Sequence, residues 1–217
     1  MLSSVDAEIK KKELADAFRQ STDLRSFEIV TNDKTSIYVN LPYLAEMSEY
    51  FKCLFSGSFT EKSKQQVEMI DIFAEHLIEF LSFVCPHQFS FERNVTSDNL
   101  YVLLYFSDRL MFPSIQHDVK AWILSDTFKR SSFATDNLVE IAILMRTQNY
   151  TKSEMEPIFK KLAYVNEAEI LKCLETADKN DKEYVLDKVR FYRPYDISKF
   201  QGKSYYDWPD YRARMFF

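Results

Sequence analysis

At 217 residues, 46% of them hydrophobic and 16% aromatic, the chain carries enough apolar material for one or two packed domains. Gly57 and Gly202 are its only glycines, where usage near ~7% would give roughly fifteen, so neither a phosphate-cradling loop nor a dinucleotide turn can be built. A formal charge of -5, from 28 Lys+Arg against 33 Asp+Glu, removes any overall electrostatic pull toward nucleic acid or an anionic membrane.

Residues 1–20 suit a helix by propensity, but Val5, Ile9, Leu14 and Phe18 form only a thin apolar stripe. Two β-branched and aromatic runs, Phe27-Glu28-Ile29-Val30 and Ser36-Ile37-Tyr38-Val39, flank the turn-rich Thr31-Asn32-Asp33-Lys34 and predict a β-hairpin. From Leu41 to Phe55, apolar residues at Leu44, Met47, Tyr50, Phe51, Leu54 and Phe55 recur at three- and four-residue steps. They predict one or two short helices closed by Ser56-Gly57. Alternation over Gln66 to Ile70 predicts a third strand. Asp71 is then the expected cap of a helix bearing Phe73, Leu77, Phe80, Leu81 and Val84, which Pro86 ends because its ring fixes φ and lacks an N–H. After an extended piece over Phe89 to Asn94, Ser97 is the expected cap of a helix with Leu100, Leu103 and Leu104. Pro113 opens another, carrying Ile115, Val119, Trp122 and Ile123.

From Ser131 onward the pattern is helical throughout, with Leu138, Ile141, Ala142 and Met145, then Ile158, Phe159, Leu162 and Val165, then Ile170, Leu171 and Leu174. Thr151 and Ser153, each followed three residues later by a glutamate, make two overlapping capping boxes. Residues 191–217 change character, with ten aromatics in 27 positions, and form a separate tail.

Between Asp23 and Leu124 stand four motifs: Asn40-Leu41-Pro42-Tyr43-Leu44-Ala45, Ser48-Glu49-Tyr50-Phe51, the run from Cys53 through Phe59-Thr60-Glu61, and Ser107-Asp108-Arg109-Leu110. Their order, with the hairpin before them, resembles the BTB/POZ domain family, whose His-Lys-x-x-Leu-Ala, Ser-x-Tyr-Phe, Met-Phe-x-Gly-x-Phe-x-Glu and Ala-Asp-x-Tyr/Leu patterns fall at these places. The resemblance implies an α+β fold, a BTB/POZ-like helical cluster flanked by a small β-sheet over 21–128. An all-α helical-hairpin extension similar to the BACK type would follow over 129–191, with an N-terminal arm at 1–20 and an aromatic-rich tail at 192–217. The family's usual histidine is Asn40 and its basic neighbour is Leu41, so the charged pocket of some BTB transcription factors is not carried over. Tyr50, Phe51, Leu54 and Phe55 also read simply as core packed against a small sheet.

Members of this family commonly dimerise through a surface that maps to Leu24, Tyr43, Leu44 and Met47. Tyr43 and Met47, one turn apart, are by themselves either an exposed interface stripe or ordinary core. Cullin-binding members carry an apolar-x-Glu pattern whose apolar side chain enters a pocket on a cullin-3 type scaffold, matched here by Phe59 and Glu61. Leu110, Met111 and Phe112 would complete that surface, or form a buried turn. The resemblance thus implies a non-enzymatic adaptor, a dimer with itself or another BTB protein, recruiting an unidentified client to a cullin-3 type ubiquitin ligase. The alternative is an oligomerisation scaffold of a regulatory or chromatin-associated complex without ubiquitin transfer.

Catalytic readings find little support. His76, His87 and His117 lack metalloprotease spacing and have no evident activated nucleophile, and His76 reads as a structural histidine. Carboxylates are paired with lysines, as in Glu156-Lys160 and Glu183-Asp187-Lys188, like solvated helix faces. No cofactor or metal is expected. Three widely spaced cysteines, Cys53, Cys85 and Cys173, fit a reducing compartment better than a disulfide scaffold, and no run of 18 apolar residues suggests a membrane span. The lysines at 10–12 lie in a polar stretch without a signal-type apolar core, so cytoplasmic or nuclear residence is expected, without a choice between them. In the tail, Tyr205, Tyr206, Trp208 and Tyr211 either fold back onto the helical half or recruit a partner. Stacking on single-stranded nucleic acid is disfavoured by the sparse positive charge.

Overall fold

A computed structural model describes residues 13, 15–57, 60–85 and 94–193. The hairpin forms as expected: β1 (Phe27–Thr31) and β2 (Ser36–Val39) run antiparallel with Phe27 opposite Val39 and Val30 opposite Ser36. Its turn passes through Lys34 at φ 58°, and the Asp33 carboxylate accepts from the Thr31 hydroxyl at 2.5 Å and from the Thr35 hydroxyl at 3.1 Å. β3 (Gln66–Met69) joins the free edge of β1 in parallel, giving the order β2-β1-β3. Period-two alternation puts Phe27, Ile29, Ile37, Val39, Val67 and Met69 on the buried face. Ile70, expected in the strand, falls in the following turn and is 69% exposed.

The helical segment after the hairpin splits into α1 (Leu41–Met47) and α2 (Glu49–Ser56). The break is at Ser48, which is extended (φ -129°, ψ 125°) and whose hydroxyl accepts the Phe51 N–H at 3.1 Å to cap α2. The short α3 (Thr60–Lys64) leads into β3, and α4 (Ala74–Val84) follows it. Asp71 does not cap α4. Phe73 holds the cap position without a side-chain bond, the Ala74 N–H reaches Asp33 at 3.4 Å, and Asp71 pairs instead with Arg109.

The Ser97 expectation is corrected in the same way. α5 (Leu100–Arg109) has Asn99 at its cap position with no capping bond, and Asn99 Oδ1 accepts from the Thr96 N–H at 2.8 Å. Pro113 does open α6 (Pro113–Ile123), since a first-turn proline gives up no helical hydrogen bond. The expected extended piece at 89–94 lies almost wholly outside the described residues. α7 (Asp126–Arg130), α8 (Thr135–Thr147), α9 (Lys152–Leu162), α10 (Glu167–Cys173) and α11 (Lys179–Tyr192) complete the chain. Thr151 and Glu154 make the expected reciprocal capping box on α9. α11 runs through Tyr192, which stacks parallel to Phe159 at 6.3 Å, so this residue, grouped with the tail by composition, is helical.

One hydrophobic core runs through both halves, because α8 packs on α5 while α9, α10 and α11 pack on α8. Phe51, Phe80, Phe106 and Phe112 form its aromatic centre, with Phe80 and Phe106 stacked at 5.3 Å. The N-terminal stripe, of which residues 15–18 are described as helical, contributes Phe18, 1% exposed within this single chain. His76 and His117 are exposed, and His87 lies outside the described residues. Among the described residues no helix is long and apolar enough to cross a membrane, and no three His, Cys, Asp or Glu side chains gather to hold a metal ion.

Candidate protein-interaction surface

The surface is built on α2. A helix turns about 100° per residue, so with Phe51 and Leu54 pointing inward, Tyr50 and Phe55 each lie about 70° off the midline of the buried face. Phe51 and Leu54 are buried accordingly, while Tyr50 is half-buried against the edge of Phe51 at 5.2 Å and Phe55 is 43% exposed. The reading of all four as core is therefore corrected for Phe55. Lys62 on α3 covers its ring at 5.4 Å.

The loop after α5 is tied to the start of α2. The Glu49 N–H donates to the Met111 carbonyl at 3.1 Å, and the buried Ser48 hydroxyl donates to the Leu110 carbonyl. Two turn bonds, Met111 N–H to Asp108 and Phe112 N–H to Ser107, force Met111 to φ 53°. That left-handed residue reverses the chain direction, so its neighbours point inward and it points out. Leu110 (2% exposed) and Phe112 (0%) are interior, Phe112 lying 5.2 Å from Phe80 and 6.1 Å from Phe51. The expectation of a surface formed by all three is corrected to Met111 alone, 54% exposed.

Beside this loop Arg109 grips Asp71 with one nitrogen, at 2.8 and 3.2 Å from the two carboxylate oxygens, joining the end of α5 to the β3–α4 turn. Burial pushes the Tyr50 hydroxyl's pKa up, offset in part by Arg109 and reinforced by Glu61 and Asp71, which places these four groups in one electrostatic neighbourhood. Glu61 is half-buried in the first turn of α3 and accepts from the Thr60 hydroxyl at 3.2 Å. Phe59 lies outside the described residues, as do Tyr205, Tyr206, Trp208 and Tyr211. Tyr50, Asp71 and Arg109 were missing from the sequence-based site. Asp71 and Arg109 meet across 38 residues of sequence, and the one available signal was the off-axis position of Tyr50 on its helix.

A second face carries the residues expected at a dimer contact. Leu24 is 68% exposed in the turn closed by reciprocal backbone bonds between Thr22 and Arg25, each 3.0 Å. Tyr43 and Met47 are half-buried on α1, the Tyr43 hydroxyl donating to the Val84 carbonyl at 3.1 Å. Leu44 is fully buried in the chain's own core, which removes it from the expected contact set. Pro42, Ala45, Glu46, Glu49, Lys52 and Phe55 line a shallow groove of about 390 Å³ between α1 and α2.

Residues 15–127 match the BTB/POZ domain, and the match spans the sheet, the α1–α2 pair and the pinned loop. The chain belongs to the BTB/POZ family. Its fold is accordingly the α+β BTB arrangement with a helical extension, and its BTB/POZ domain is a protein-interaction domain. The chain is 26% identical over 155 residues to BTB and MATH domain-containing protein 38 of Caenorhabditis elegans, and 23% identical over 145 residues to BTB and MATH domain-containing protein 36 of the same organism. It is also 26% identical over 132 residues to human Kelch-like protein 38. These matches cover 71%, 66% and 58% of this chain but only 36%, 43% and 22% of the relatives, so the chain spans less than half the length of each.

Proposed function

We propose that this BTB/POZ protein is a non-enzymatic adaptor that dimerises through Leu24, Tyr43 and Met47 and engages a cullin-3 type scaffold through Phe59, Glu61 and Met111, bringing a client to ubiquitin transfer. The observation that carries the reading is the pinned turn at Met111, which leaves one apolar side chain exposed on a loop bonded to Glu49, the neighbour of Tyr50, whose hydroxyl feels Arg109, Glu61 and Asp71. An apolar anchor with a polar rim is the arrangement in which a few residues dominate binding. The resemblance of Phe59-Thr60-Glu61 to the apolar-x-Glu pattern of cullin-binding members, and the likeness to a Kelch-like relative, support the same reading.

Calorimetry of the full chain with a cullin-3 N-terminal domain tests it, beside Phe59→Ala, Glu61→Ala and Met111→Ala. The expected result is binding that weakens about tenfold or more, some 1.4 kcal/mol, on Phe59→Ala. No binding by the wild-type chain, with light scattering still reporting a dimer, would leave an assembly module without a ligase role.

A further inference from the structure

A groove of about 720 Å³ opens between the end of α6, α7 and α9, on the helical side of the molecule. Leu124, Phe133 and Tyr164 form its apolar walls, with Leu124 53% and Tyr164 82% exposed. Lys161 also lines it, its ammonium donating to the carbonyls of Lys129 at 3.1 Å and Ser131 at 2.7 Å and sitting 5.0 Å from the Phe128 and 5.4 Å from the Phe133 ring centre. The other two lysines of the groove have their own carboxylates, Asp126 for Lys129 and Glu156 for Lys160, each at 2.7 Å. Lys161 has none among the described residues, and burial alone pushes its pKa down. One ammonium in an aromatic setting is therefore left without an opposite charge.

The chain leaves the described structure at this groove. Arg193, just past α11, donates to the Val165 carbonyl at 3.2 Å and to Glu167 at 2.9 Å, and Val165 lines the groove. Within the 24 residues that follow, Tyr205-Tyr206-Asp207-Trp208-Pro209-Asp210-Tyr211 puts four aromatics and two carboxylates into seven positions. The twelve steps from Arg193 to Tyr205 reach up to about 40 Å when extended, ample for this segment to return to the groove beside which the chain exits. Aromatic side chains suit the apolar walls, and a carboxylate suits the unmatched ammonium.

We propose that residues 205–211 of this same chain dock in the groove, Trp208 against the Phe133 and Tyr164 rings and Asp207 or Asp210 opposite Lys161. The tether makes this favourable even for a weak contact. At an effective concentration near 1 mM, an intrinsic Kd of about 0.1 mM fills the groove in roughly nine molecules of ten. Docking closes the groove to any outside segment of the same aromatic and acidic character, and it is independent of the adaptor reading.

The test is acrylamide quenching of tryptophan fluorescence in the full chain, with the Trp208 signal obtained by difference from Trp208→Phe. The expected result is Trp208 quenched about tenfold less readily than a free indole, matching that occupancy. Tyr164→Ala, at an exposed position, and the pair Asp207→Asn with Asp210→Asn should each move it toward the free value. Free quenching in the wild-type chain, or shielding indifferent to Tyr164→Ala, would overturn the proposal. Shielding that fades on dilution would overturn it as well, assigning the groove to the tail of a second copy.

Discussion

Phe112→Ala and Met111→Ala, adjacent substitutions, should have opposite effects. Phe112 is fully buried, with its ring 5.2 Å from Phe80 and 6.1 Å from Phe51, and its backbone N–H fixed by Ser107. Truncation leaves a cavity at the aromatic centre and should cost about 3–5 kcal/mol, of which each lost ring pair accounts for about 0.5–1.5. Against a total stability of about 5–15 kcal/mol this is a large fraction. Met111, 54% exposed, should change stability by no more than about 0.5 kcal/mol. Urea denaturation followed by circular dichroism reads the difference: with a slope of about 2–3 kcal/mol per molar, Phe112→Ala should lower the midpoint by about 1 M or more while Met111→Ala leaves it in place. Binding to the cullin domain should show the reverse order once both variants are measured below their midpoints. Midpoints of Phe112→Ala and Met111→Ala that coincide would refute the division of this loop into one core residue and one surface residue.

Glu167 accepts from Arg190 at 2.6 Å and Arg193 at 2.9 Å, and the Arg190 bond first, then the neighbouring positive charges, hold its carboxyl below the ordinary glutamate range. Its folded pKa is depressed, so its contribution is complete above the ordinary value of about 4.3 and is lost as pH falls through the lowered one. The stability gap between wild type and Glu167→Gln should accordingly be constant near neutrality and close in acid; a gap that widens there would contradict the pairing. Cys53 is exposed, whereas burial, with Asp136 and Glu169 nearby, pushes the Cys173 thiol up. Iodoacetamide at neutral pH should label Cys53 on the order of tenfold faster than Cys173, read by peptide mass spectrometry, and equal rates would show that α10 opens readily. Leu24→Glu, at a 68% exposed position, should leave the denaturation midpoint unchanged while halving the mass seen by light scattering at micromolar concentration. An unaltered dimer would remove Leu24 from the contact.

Features decided within a few residues were legible in the sequence. The hairpin follows from two β-branched runs around a turn, the start of α6 from Pro113, and the start of α9 from the Thr151–Glu154 box, because each depends on dihedral preference or a hydrogen bond spanning three or four positions. Glu61 and Met111 were likewise reachable as site candidates from a motif and its neighbouring loop. What tertiary structure decided lies across larger separations. Asp71 carries every local mark of a helix cap, yet it turns to Arg109, 38 residues away, and leaves the cap position to a phenylalanine. Leu44, Leu110 and Phe112 are indistinguishable by composition from Leu24 and Met111, but the first three are sealed in the core and the last two stand outside it. Hydrophobic periodicity states which side chains share a face, while the packing of distant elements against that face, β3 on β1 and α8 on α5, determines which of them water still reaches.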